Sequence, residues 1–155
     1  MPLIDPGKKA PAFSLKDQNG QVHKLSDYAG RPLVLYFYPK DDTTGCTKEA
    51  IEFSLAKRKF DALGVPVIGV SKDSTQSHDK FKTKHKLKIT LGSDPETELA
   101  HAYGVWVQKS LYGRKYMGMD RATFLVDAKG VIREIWRKVK VPGHVEAVLA
   151  AAKAL

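Results

Sequence analysis

At 155 residues, with 43% hydrophobic and 28% charged side chains, the chain can bury one core, and a single domain over 1–155 is expected. Basic residues outnumber acidic ones by 26 to 17, a net charge of +9 that suits anionic partners, yet no nucleic-acid motif accompanies it and a solvated basic surface is favoured. No apolar run approaches a membrane span, and Met1 to Lys9 has neither a signal core nor a transit pattern, so a cytoplasmic location is expected.

Residues 1–11 carry three prolines and read as an irregular arm. Phe13–Leu15 and Val22–Leu25 flank Asn19-Gly20, a hairpin turn signal. Ser26–Gly30 reads as a short helical turn. Leu33–Tyr38 is a continuous apolar run, the pattern of a central strand buried on both faces. Pro39 ends it, and Lys40–Gly45 is turn chemistry. A helix follows Cys46 to about Leu63, with Gly64 as its C-terminal cap and Glu49, Phe53, Ala56, Phe60 and Leu63 on one face. Ile51 and Leu55 lie off that stripe and are assigned to a second core contact in preference to an exposed apolar patch.

Val65–Ser71 reads as a second buried strand. Ser74–Lys86 reads as a polar helix with Phe81 inward and a solvated lysine face. His78 and His85 share that helix, but no carboxylate or cysteine stands at ligand spacing, so no metal site is expected. His23, His101 and His144 form no cluster in the sequence either. Ile89–Leu91 is a short strand. Asp94 and Pro95 open a helix over Glu96–Tyr103 that Gly104 ends. Val105–Val107 and Leu111–Met119 read as short strands and a loop. Thr123–Asp127 and Val131–Trp136 form a hairpin around Ala128-Lys129-Gly130, and Pro142-Gly143 opens a last helix, His144–Leu155, with Val145, Val148, Leu149 and Ala152 inward. Strands alternating with helices, then an antiparallel hairpin, predict a three-layer α/β sandwich with a mixed sheet.

Cys46 is the only cysteine. It falls where a strand and loop feed the first turn of a helix, and unpaired N–H groups with the positive end of the helix dipole favour a thiolate there. Thr43 can place a hydroxyl beside the sulfur. Such a thiolate is set up to attack an electrophile.

Pro39-x-x-x-Thr43-x-x-Cys46 resembles the active-site motif of the peroxiredoxins. The flanking Tyr36–Lys40 and Thr44–Ala50, with Tyr112–Gly118 and Arg121–Asp127, resemble the Q-type (bacterioferritin comigratory) subfamily over nearly the whole chain. The resemblance implies a thioredoxin-like fold with peroxiredoxin insertions and a thiol-dependent peroxidase that needs no cofactor. It implies that Cys46 is the peroxidatic thiolate, which becomes a sulfenic acid. Thr43 would hydrogen-bond the peroxide, Arg121 would lower the pKa of Cys46 and stabilise the leaving oxygen, and Pro39 would shield the sulfur from water. Gly45 joins Thr43, Cys46 and Arg121 in the expected peroxide-binding set, and Glu49 is assigned either to orienting the helix start or to proton handling. Many Q-type members carry a resolving cysteine five residues after the peroxidatic one, and Ile51 stands there in this chain. A one-cysteine cycle is therefore expected, completed by glutathione, glutaredoxin, thioredoxin or a small dithiol, in a monomer or weak homodimer. A peroxide sensor or relay that oxidises a partner protein is the alternative. The aromatic and basic segment Leu111–Tyr116 is read as a loop and strand near the active site and not as a base-stacking platform.

Overall fold

The structure, a computed structural model, describes residues 4–155. Of the irregular arm expected over 1–11, the first three residues lie outside the described part. The remainder is pinned along a later strand, with Gly7 N donating to Ile132 O at 2.7 Å and Ala10 N to Gly130 O at 2.9 Å.

Among the described residues nine strands form: β1 (Ser14–Asp17), β2 (Val22–Lys24), β3 (Leu33–Phe37), β4 (Val67–Ser71), β5 (Thr90–Ser93), β6 (Trp106–Leu111), β7 (Arg114–Met119), β8 (Ala122–Val126) and β9 (Ile132–Trp136). Four α-helices join them: α1 (Thr44–Ala62), α2 (Thr75–His85), α3 (Glu98–Ala102) and α4 (His144–Lys153). Seven strands make one sheet in the order β2-β1-β5-β4-β3-β8-β9. The centre, β5-β4-β3, is parallel, whereas β1 and β8 run antiparallel to their inner neighbours, so the sheet is mixed.

The alternation along β3 sorts the core into two layers. Leu33, Leu35 and Phe37 face a cluster with Leu99, Tyr103 and Phe124, while Val34, Tyr36 and Tyr38 face Phe53, Phe60, Phe81 and Val148. Helices α1, α2 and α4 therefore cover one face, and α3 with the N-terminal segments covers the other. This is the expected three-layer sandwich. It explains why β3 reads as an unbroken apolar run: all five of its residues are buried.

Several expectations need correction. Leu55 is 80% exposed and makes no second core contact, whereas the half-buried Ile51 packs against the Phe53 and Phe60 cluster. Leu55 is two residues from the inward Phe53, roughly 200° around the helix, and so points away from the sheet. Leu63, assigned to the inward stripe, is 37% exposed because α1 ends at Ala62 and the chain turns away. Helix α3 starts later than expected. Thr97 takes a left-handed φ of 56°, and the Asp94 carboxylate accepts from the amides of Leu99 and Ala100 at 3.2 and 2.9 Å. The segment expected as short strands and a loop is one antiparallel hairpin, β6–β7, separate from the main sheet. Tyr112 and Gly113 at its tip both have positive φ, 51° and 78°, as a tight primed turn requires. No helix among the described residues is long and apolar enough to cross a membrane.

Candidate active site

The site lies at the C-terminal end of β3. Pro39, half-buried, stops the strand, and Thr43 is the N-cap of α1 with an extended backbone. Its side chain does not cap the helix. Thr43 Oγ1 instead donates to the Lys40 carbonyl at 2.9 Å, which leaves the hydroxyl of this exposed residue able to accept. Without a side-chain cap, the first amides of α1 stay free for an anion.

Cys46 is the third residue of α1 and is 2% exposed. Arg121 immediately precedes β8, and the pairing of Phe37 with Ala122 brings it beside the end of β3. Arg121 Nη2 donates to Cys46 Sγ at 3.3 Å, and Nη1 donates to Glu49 Oε1 at 2.7 Å. One guanidinium thus bridges a sulfur and a carboxylate that are one helical turn apart, a geometry a lysine ammonium cannot copy. The guanidinium thereby sets a cationic donor in direct contact with the sulfur.

Gly45 makes room for this bridge. A Cβ there would lie 3.0 Å from Arg121 Nη2. Its place in the site is thus steric, beside the arginine.

Glu49 has no exposed surface. Burial pushes its carboxyl up to about 7 against the opposing pull of Arg121. The Glu49 carboxylate in turn helps raise Arg121 above its ordinary value, against the opposing effect of burial. Glu49 Oε2 and the Tyr36 hydroxyl have no hydrogen-bond partner among the described residues. The Tyr36 hydroxyl is held well above its ordinary range by burial first, and then by Glu49 and Cys46. The Tyr36 ring packs against Gly69 of β4, where a Cβ would come within 2.6 Å of it. Behind Arg121, Thr123 Oγ1 and His144 Nε2 are 2.7 Å apart, and burial followed by the Arg121 charge pushes the His144 imidazole down to about 4.

The structure therefore brings Cys46, Arg121, Glu49 and Gly45 together at contact distance, and sets Thr43 and Pro39 on the loop that leads into them. Sequence reasoning missed Asp41, Tyr38 and His78, which form a buried polar cluster under the same loop. His78 finds its carboxylate 37 residues away, which spacing within one helix cannot reveal. No group of three or more His, Cys, Asp or Glu side chains among the described residues is gathered as a metal site would need.

The AhpC/TSA family profile matches residues 6–135. The chain is 48% identical to a putative peroxiredoxin Bcp of Coxiella burnetii over 94% of this chain and 97% of the relative. It is 49% identical to the peroxiredoxin Bcp of Bacillus subtilis over 97% and 96%. Among solved structures, the bacterioferritin comigratory protein of Xanthomonas campestris, studied for alkyl peroxide reduction, superposes with a TM-score of 0.91 at 42% identity, covering 97% of this chain and 98% of that one. A Cys-to-Ser mutant of the Xylella fastidiosa PrxQ gives 0.93 at 39% identity, covering 99% and 98%.

Fold and relatives define a thiol-dependent peroxiredoxin on a thioredoxin-like scaffold. The chain belongs to the AhpC/TSA family and, within it, to the Bcp or PrxQ peroxiredoxins, in a form with one cysteine.

Proposed function

We propose that this chain reduces hydrogen peroxide and alkyl hydroperoxides through a one-cysteine cycle centred on Cys46. The observation that carries the reading is the Arg121 guanidinium 3.3 Å from a sulfur seated in the first turn of α1. In the first half-reaction the Cys46 thiolate attacks the terminal oxygen of ROOH. The S–O bond forms, the O–O bond breaks, and the leaving RO⁻ takes a proton to become ROH. Arg121 stabilises charge on the sulfur and on the departing oxygen, as a preorganised donor does. Thr43 accepts from the peroxide O–H with the lone pairs its own donation to Lys40 leaves free. Gly45 keeps the arginine's place open, and Pro39 shields the loop side of the sulfur. Glu49 positions Arg121 through their 2.7 Å hydrogen bond.

In the second half-reaction an external thiol attacks the sulfenic sulfur and releases water, giving a mixed disulfide. A second thiol then frees Cys46 and leaves as the oxidised disulfide. The absence of any other cysteine in the chain supports an external reductant, of the glutathione, glutaredoxin or thioredoxin kind. A cytoplasmic location belongs to the same reading, since a lone thiol persists where the surroundings are reducing. One domain over 1–155 is supported by a main sheet with strands drawn from residues 14 to 136.

The test is intact mass after one equivalent of hydrogen peroxide, with and without a sulfenic-acid trap. A rapid gain of one oxygen, trapped at Cys46 and lost in Cys46→Ser, is expected. Turnover sustained with no added thiol would overturn the one-cysteine cycle.

A further inference from the structure

The β6–β7 hairpin leads directly into Arg121. Met119, the last residue of β7, pairs with Trp106, and Asp120 alone separates it from the arginine. Side chains alternate across this ribbon, so Lys109 shares a face with Tyr116, directly opposite, and with Gly118, its diagonal neighbour. Gly118 has no side chain, and the Lys109 stem fills that place. A Cβ at Gly118 would lie 3.3 Å from Lys109 Cδ, 3.4 Å from Tyr116 Cε2 and 3.6 Å from Lys109 Cε. The lysine therefore does not stand straight out from the ribbon. It leans along β7 in the direction of Asp120 and Arg121.

Lys109 is half-buried, and it takes part in none of the ion pairs among the described residues. Burial pulls its ammonium below the usual lysine value. The charges of Asp120, Arg121 and Cys46 act on it in turn, with Asp120 and Cys46 opposing that pull and Arg121 adding to it. An ammonium gives up water at a cost unless an acidic group takes the water's place. The arrangement thus leaves a cation beside the site with room for a negative charge from outside. Attack on peroxide already has its cation in Arg121, and hydrogen peroxide brings no charge. The half-reaction with the external thiol has no group of this chain assigned to it.

We infer that Lys109 is a specificity-determining residue for the reductant: its ammonium takes the carboxylate of an anionic thiol, the class to which glutathione belongs, while the thiol sulfur reaches the Cys46 sulfenic acid. The inference rests on the one-cysteine cycle proposed above and deepens it. In that step the thiol sulfur bonds to Cys46 Sγ, the S–O bond breaks, and the hydroxyl leaves as water with the thiol's proton. Lys109 enters none of these bonds. It holds the far end of the partner and so selects among thiols by charge.

The experiment uses the full chain with its sulfenic acid formed beforehand by one equivalent of hydrogen peroxide. It is mixed with 3-mercaptopropionate, which carries a carboxylate, or with neutral 2-mercaptoethanol. Samples quenched over time are read by intact mass for the mixed disulfide, and each rate is expressed per thiolate. The readout is the ratio of the anionic to the neutral rate within one variant, which a general change in access to Cys46 does not move. The salt is held at about 0.15 M, where charges beyond about 8 Å are screened. Lys109→Met keeps the stem and removes the charge, and its ratio should fall about threefold or more below the parent's. Lys109→Arg should return the ratio toward the parent's, and Lys109→Glu should lower it further. Lys115→Met, an exposed lysine on the other face of the same hairpin, should leave the ratio in place. A ratio unmoved in Lys109→Met and Lys109→Glu overturns the inference, as does an equal fall in Lys115→Met. A parent chain that gains no oxygen at Cys46 would instead overturn the peroxidase reading itself.

Discussion

Glu49 holds its carboxyl proton up to about 7, and His144, the first residue of α4, loses its imidazole proton down to about 4. Between 4.5, the ordinary value for Glu49, and about 7 the unfolded chain has released this proton while the folded chain keeps it, so Glu49 makes the fold less stable as pH rises through that window. His144 acts with the opposite sign: the unfolded chain binds its proton from 6.5 downward, so stability falls as pH drops from there toward about 4. The two contributions oppose each other where the windows overlap. Glu49→Gln removes only the first. It should gain on the parent between about pH 5 and about pH 8, by at most roughly 3 kcal/mol, read from denaturant midpoints at each pH. No relative gain would mean that Arg121 holds Glu49 ionised throughout. Arg121→Lys keeps the charge but cannot reach Cys46 and Glu49 with separate nitrogens. Its rate with hydrogen peroxide should fall by about a hundredfold or more in stopped-flow measurements. At this scale the sequence was informative where a motif fixed the chemistry, as at Cys46 and Arg121. It was silent on Asp41 and His78, because a buried aspartate in a polar loop looks like any turn residue until the fold supplies its partner.

Two glycines lie in regular elements because another residue needs their space. Gly45 in the first turn of α1 faces the Arg121 guanidinium, and Gly69 in the middle of β4 faces the Tyr36 ring. Gly45→Ala should improve the helix by about 0.5–1 kcal/mol of backbone entropy while displacing the arginine, so thermal stability holds or rises as the peroxide rate drops. A variant with full peroxide activity would show that Arg121 tolerates the methyl group. Gly69→Ala meets aromatic carbon and has no such freedom; a loss of about 3 kcal/mol is expected in equilibrium unfolding. The elements themselves were mostly legible. β3 has an apolar run that only a doubly covered strand requires, and Gly64, at a φ of 70°, marks the end of α1. Leu55 misled because an (i, i+4) apolar pair resembles a core contact, whereas its angle around the helix from Phe53 sets it in solvent. The β6–β7 hairpin was hidden because Tyr112 takes a conformation that favours glycine or asparagine, so its turn carries only half the usual signal.

Across the whole molecule the charge of +9 makes the surface attractive to anions, and exposed Lys40 and Lys48 flank the loop and helix that carry the site. Reaction with a carboxylate-bearing hydroperoxide should slow as ionic strength rises and the screening length shrinks from about 30 Å to about 8 Å, while reaction with neutral hydrogen peroxide should not change. Equal salt dependence for both would remove any role for steering. The layered architecture followed from the order of strands and helices, but the position of each polar side chain under the loop did not, because it depends on contacts between distant segments. The β6–β7 hairpin stands apart from the main sheet, and its tip is open: Tyr112 is 99% exposed, with exposed Arg114 and Lys115 just after it. Cys46 lies before that tip in the chain and Arg121 after it. A trypsin nick there would divide the enzyme into two pieces, each inert alone, joined by the pairing of β3 with β8. The molecule is in this sense already a split enzyme, and recovery of peroxide activity on mixing the two separately made fragments would report directly on whether that strand pair has assembled.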